Sequence, residues 1–349
     1  MLLHALLCIS LTPCVQAPVD EFATLLAEYQ AAEAAWQAEL DALEDVSEKS
    51  ALRRKHPARA FSARFEAAAN AGEGRALLWT LEHLRDSGLR TKEIAEAKPG
   101  LYERLVEGHA QAAWFADVLE PLSRDARHVG GAERLRAWYV RIIEAPAQPA
   151  VRAQALDLLA SSLSRSDDAG EQALGLEWYL RLAREHGDTE WGRAAERAHY
   201  VELHLAVGCE APAFTGTQVD GATFRLADTR GKVTLVAFYG LWSVAGRAAL
   251  ADIERFAGAL SGAQFAIVGV DTGDRKDELA AALEEHGILP RFHAWQGEDR
   301  APIAQSYRVA SYPMYFLLDG LGVIRAKGTD LRALDAPAAT LVEELRKGR

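Results

Sequence analysis

From about residue 20 to 205, apolar residues recur every three or four positions with almost no alternating β-branched runs, which predicts an all-helical region. Phe22, Leu25, Leu26, Tyr29, Ala32, Trp36, Leu40 and Leu43 set the first helix over 20–43. Further helices are expected near 57–70, 74–87, 101–120, 131–143, 150–163, 168–186 and 189–206. Gly72, Gly88, Pro99-Gly100, Gly130-Gly131 and Gly187-Asp188 should break them. Trp138-Tyr139 and Trp178-Tyr179 stand forty residues apart, each inside a helix followed by another, so the region reads as stacked helical hairpins. These aromatics are expected to pack between neighbouring helices.

After Gly208 the period changes. Segments 232–239, 264–271, 313–319 and 323–327 read as strands, with helices near 244–260, 275–287, 300–307 and 335–347. Strands separated by helices predict a central mixed sheet covered on its faces, and the last two strands, joined across Gly320-Leu321-Gly322, predict an antiparallel hairpin. The fold class is therefore an all-α region followed by an α/β sandwich, with domains at 18–205 and 206–349.

The chain is 349 residues long, 49% hydrophobic and 26% charged, as expected of folded domains. Its formal charge of −11 disfavours a nucleic-acid partner, since phosphate binding needs an excess of Lys and Arg. The one dense basic cluster, Arg53-Arg54-Lys55, reads as a solvated helix face. Residues 1–17 read as a leader: an apolar run, then Val15-Gln16-Ala17 at a small-x-small cleavage position. This predicts an exported, periplasmic or cell-envelope protein. The run is too short to span a bilayer, and no later segment qualifies, so no membrane segment is expected in the mature chain. Pro13 before Cys14 argues against a lipid anchor. Cys8 and Cys14 would leave with the leader, so Cys209 would be the sole cysteine and no internal disulfide could form.

Four landmarks carry a resemblance to the thioredoxin superfamily, in particular its exported redoxin branch of cytochrome-maturation and alkyl hydroperoxide reductase/thiol-specific antioxidant type. Gly208-Cys209-Glu210-Ala211-Pro212-Ala213-Phe214 is similar to that branch's Gly-x-x-Ala-Pro-x-Phe entry motif. Gly221-x-x-Phe224-x-Leu226 and then 231–238 resemble the approach to its first central strand. Phe238 through Arg247 lies where the family has Phe-Trp-Ala-x-Trp-Cys-x-x-Cys-Arg, and Trp242 and Arg247 keep their places. Val309 through Asp319 resembles the segment carrying the family's cis-proline, here Pro313. The resemblance covers the C-terminal domain only.

One departure governs the chemistry that the resemblance implies. Ser243 stands at the attacking cysteine's position and Gly246 at the resolving cysteine's, so the usual thiolate is missing, and disulfide exchange and peroxide reduction both need one. Ser243 reads as a helix N-cap, not a nucleophile. The family's cis-proline loop offers backbone groups to an extended peptide, so Trp242, Tyr312 and Pro313 are candidates for a peptide-binding lip, or Tyr312 simply packs over the vacant dithiol position. Cys209 is either a passive thiol or the sulfur of an atypical thiol oxidoreductase. The histidines, among them His83, His109, His128 and His204, form no metal motif, and 269–274 reads as a strand-end turn, so neither metal nor nucleotide cofactor is expected. The reading is a redox-inactive, polypeptide-binding or scaffolding module with a protein or peptide partner.

Overall fold

The computed structural model describes residues 20–260, 264–273, 275–287, 292–296 and 302–347; the leader read at 1–17 lies outside them. The chain divides into two compact units between Arg193 and Ala194. Residues 194–205 pack with the second unit: Leu205 belongs to its core, and its carbonyl accepts from Lys327 Nζ at 2.9 Å.

The first unit is helical among its described residues: α1 Glu21–Ala42, α2 Val46–Arg53, α3 Ala58–Asn70, α4 Gly74–Glu82, α5 Thr91–His109, α6 Ala116–Arg124, α7 Ala132–Glu144, α8 Pro149–Ser164 and α9 Ala169–Glu185; α10 Glu190–Ala198 spans the division, and α11 Tyr200–His204 belongs to the second unit. Carboxylates set several starts. Asp20, Asp45 and Asp168 each accept from a first-turn backbone N–H of α1, α2 and α9. Consecutive helices pair, as the hairpin reading anticipates, with α3 on α4 and α7 and α9 on α8. Gly175 lets α9 approach α8 closely, since a Cβ there would stand 2.6 Å from Ser164 Oγ. Trp138 and Tyr139 are fully buried, whereas Trp178 and Tyr179 are half-buried and Arg181 lies over the Trp178 ring.

Two expectations about this unit are corrected. Pro99-Gly100 does not break the chain: α5 runs through both. An interior proline costs roughly 3 kcal/mol, and burial of Tyr102, Leu105 and Val106 opposes that cost together with an anchor before and after Pro99 in sequence, on one face of the helix. Lys98 Nζ and Tyr102 Oη both bond Asp125, at 2.6 and 2.8 Å. The helix expected over 101–120 instead ends at His109, and a 3₁₀ turn that buries Phe115 leads into α6.

In the second unit the strands are β1 Thr215–Thr217, β2 Thr223–Arg225, β3 Val233–Tyr239, β4 Phe265–Asp271, β5 His293–Trp295, β6 Met314–Leu318 and β7 Ile324–Gly328. The helices are α12 Val244–Ala259, α13 Lys276–Glu285, α14 Pro302–Ser306 and α15 Asp335–Lys347. The sheet order is β5-β4-β3-β6-β7, with β3, β4 and β5 parallel and β6 and β7 antiparallel to their neighbours. Every residue of β3 is buried because the strand is central and covered on both faces. Leu235, Ala237 and Tyr239 face α12, α13 and α15. Val236 and Phe238 face Ile303 and Tyr307 on the other side. This is the thioredoxin-like arrangement that the motifs imply. The entry motif docks beside β7: Ile324 N bonds Cys209 O at 2.8 Å, and Ala211 N bonds Gly322 O at 3.0 Å. Among the described residues no helix is long and apolar enough to cross a membrane.

Candidate functional site

At the C-terminal end of β3 the chain leaves the sheet through Gly240, Leu241 and Trp242 and enters α12 at Ser243. Ser243 caps that helix: its hydroxyl accepts from Gly246 N at 2.9 Å and donates to Gly240 O at 3.2 Å. Both bonds go to backbone, so the hydroxyl is committed to structure. The loop is also pinned at Leu241, whose N–H donates to Asp271 Oδ1 at 3.3 Å and whose carbonyl accepts from Arg247 Nη1 at 2.5 Å. Arg247, which keeps its place in the motif, thus holds the loop down.

Gly246 is buried, and a Cβ built on it would lie 1.9 Å from the Gly240 carbonyl oxygen. The backbone of the loop therefore fills the volume that a side chain at this position would need. Position 246 is closed to any side chain unless the Gly240 backbone moves.

Around this closed centre stand exposed apolar groups. The Tyr312–Pro313 peptide is cis, and the half-buried Tyr312 ring meets Trp242 edge-to-face, with centroids 6.0 Å apart and planes at 87°. Trp242 is 61% and Val244 79% exposed. The sequence-predicted trio Trp242, Tyr312 and Pro313 is thus brought together at one end of the sheet.

Cys209 is not part of that group. Its backbone pairs with Ile324, which sits opposite Leu318, while Pro313 precedes Met314 at the other end of β6. Four strand residues separate those ends, about 13 Å at roughly 3.3 Å each. The half-buried thiol donates to Leu203 O at 3.3 Å.

Beneath the loop lies a buried polar group that sequence reasoning passed over. Tyr239, Asp271 and His293 end or begin three adjacent strands, and each is at most 1% exposed. Burial raises the Tyr239 phenol well above its ordinary range and lowers His293 to about 4. The neutral imidazole and the Tyr239 hydroxyl share a hydrogen bond at Nδ1, 3.0 Å long. Gly269 makes the room, since a Cβ there would meet His293 Nδ1 at 2.1 Å. The sequence signal was Asp271 closing an otherwise apolar strand.

Residues 207–327 match the model of the AhpC/TSA family. A search of curated proteins finds no match. Among solved structures, the thioredoxin domain of a thiol-disulfide oxidoreductase from Bacteroides vulgatus is 28% identical, covering 39% of this chain and 98% of that one with a TM-score of 0.35. A thiol:disulfide interchange protein from a Bacteroides species is 27% identical, covering 40% and 91%, TM-score 0.36. A secreted thiol-disulfide isomerase from Corynebacterium glutamicum is 19% identical, covering 38% and 84%, TM-score 0.33.

Proposed function

We propose that this thioredoxin-like domain, of AhpC/TSA type over residues 207–327, is a redox-inactive module that binds an extended polypeptide segment at Trp242, Tyr312 and cis-Pro313. The observation that carries the reading is the pairing of an exposed Trp242 with Tyr312 directly beside a centre that holds no sulfur. Exposed aromatics over a shallow edge supply the anchors of a peptide site, and the cis-proline loop leaves backbone groups for strand-like pairing. A serine that caps a helix offers neither a thiolate nor an activated alkoxide. The apolar leader read at 1–17 supports an exported, cell-envelope setting, with a protein or peptide as partner.

The competing reading makes Cys209 the reactive sulfur. Its distance along β6 from the Pro313 loop and its bond to Leu203 O both argue against it, because the loop could not present a substrate disulfide to it.

Fluorescence anisotropy with labelled, extended peptides rich in apolar residues tests the proposal. Trp242→Ala and Tyr312→Ala should each weaken binding at least tenfold, as anchors worth about 2 kcal/mol do. Leu321→Ala, an exposed apolar residue in the turn at the far end of β6, should leave binding unchanged. Equal affinity across all three variants would place the peptide elsewhere and defeat the assignment.

A further inference from the structure

The corner between α9 and α10 turns on His186. Its N–H donates to Leu182 O at 3.0 Å and closes α9, while its carbonyl oxygen accepts from Thr189 N at 2.9 Å and Thr189 Oγ1 at 2.7 Å. Thr189 Oγ1 in turn accepts from Gly192 N at 3.0 Å, in the first turn of α10. The two segments meet closely: a Cβ on Gly192 would lie 1.9 Å from the same His186 oxygen. One residue thus ends one helix and anchors the start of the next, so a displacement of His186 is transmitted to both.

The side chain at this pivot is a buried imidazole. His186 is 5% exposed, whereas Glu185, Gly187 and Asp188 around it are open to solvent. Its Nε2 is enclosed and has no protein partner among the described residues, and the same holds for Nε of Arg152 near the start of α8. The Arg152 guanidinium is held by Nη2 bonds to Ala145 O and Ala147 O, at 3.3 and 3.4 Å. Protonating the imidazole would therefore enclose a further N–H without a protein acceptor and bring a second cation near the first. Burial, and after it the Arg152 charge, hold the imidazole's pKa below its ordinary value; Arg181 acts in the same direction, and Glu185 and Asp188 oppose it.

We propose that His186 is an acid-sensitive latch, which holds the α9–α10 corner shut while its ring is neutral and releases the corner when the ring takes a proton. The segment released is the one that carries the chain from the first unit to the second, since the division falls inside α10. In the open corner the ring meets water and titrates at its ordinary value of 6.5, so opening gains nothing above that pH and becomes easier below it. Between 6.5 and the lower value of the closed corner, each pH unit raises the open population about tenfold. In the cell-envelope setting proposed above, the external medium supplies the acid.

Hydrogen exchange of the full chain, followed by mass spectrometry between pH 7.5 and 5 and expressed as protection factors, tests the latch. Protection of amides 186–193 should stay level above pH 6.5 and fall at least threefold by pH 5, while the α8 core amides of Leu156 and Leu159 keep theirs. His186→Gln and His186→Phe do not titrate, and the second fills the space with an apolar ring; each variant that circular dichroism shows folded should lack the fall. The latch is refuted if the parent's corner keeps its protection at pH 5 or if α8 loses protection in step with it, readings that need no variant. A folded variant that retains the parent's pH dependence refutes it as well.

Discussion

Replacing Gly246 by alanine asks whether position 246 is closed to a side chain. In a helix, Gly→Ala normally stabilises by about 0.5–1 kcal/mol, because alanine loses less backbone freedom on folding. At Gly246 the added carbon would stand 1.9 Å from the Gly240 oxygen and 2.6 Å from its carbonyl carbon, where real Cβ atoms essentially never come within 3.0 Å. The opposing atoms are backbone, so no rotamer relieves the contact. Either α12 or the Gly240 loop must retreat by about 1 Å, loosening the Ser243 cap and the bonds at Leu241. Overpacking of this kind costs about 1–3 kcal/mol, and with backbone atoms as close as 1.9 and 2.6 Å the cost falls toward the upper end, which overrides the propensity gain and leaves a net loss of up to about 2 kcal/mol. Gly258 is the internal control: it lies in the same helix, and a Cβ there meets nothing within 4 Å. Urea denaturation should therefore move the midpoint down for Gly246→Ala and up for Gly258→Ala. If both variants move up together, position 246 is open and the closure argument is refuted.

Other perturbations give separate checks. Ser243→Ala should cost about 1 kcal/mol in the same urea titration, the usual worth of an N-cap, and leave every activity assay unchanged. His293 has a folded value of about 4 against 6.5 when unfolded, so between those pH values the unfolded chain binds a proton that the folded domain refuses. Stability is complete above pH 6.5 and declines as pH falls towards 4, by about 3 kcal/mol from this group. Comparing pH–stability curves of the parent and His293→Gln should show that portion of the slope vanish. Gly175→Ala should destabilise the helical unit by about 1–3 kcal/mol, read by thermal melting, because Ser164 and the Ala160 carbonyl stand within 3.0 Å of the new carbon.

The central strands were legible because burial on both faces writes long apolar runs, as in β3 and β4, and the cis-proline segment was legible through its motif. Harder to read was β5, only three residues long, in which a buried histidine looks polar until Tyr239 is placed beside it. The β1–β2 hairpin, with strands as short, offers too few residues for a period to emerge. Pro99 misled for a different reason: local chemistry argued for a break, and the buried face and Asp125 anchors of α5 outweighed it. At the site, the motifs singled out Ser243, Trp242, Tyr312 and Pro313, and in the fold Trp242 meets Tyr312 beside the cis peptide while Ser243 caps α12. The motifs could not reveal that Gly246 is needed by a carbonyl six residues earlier, because that need is a contact and has no periodic trace.

The most direct test of the account is a paired insulin-disulfide and hydroperoxide reduction assay on the mature protein and its Cys209→Ser variant. The account predicts no turnover above background in either assay for either protein. Turnover by the parent that disappears in Cys209→Ser would show that the chemistry has moved to a new sulfur, and would contradict the claim that this domain is redox-inactive.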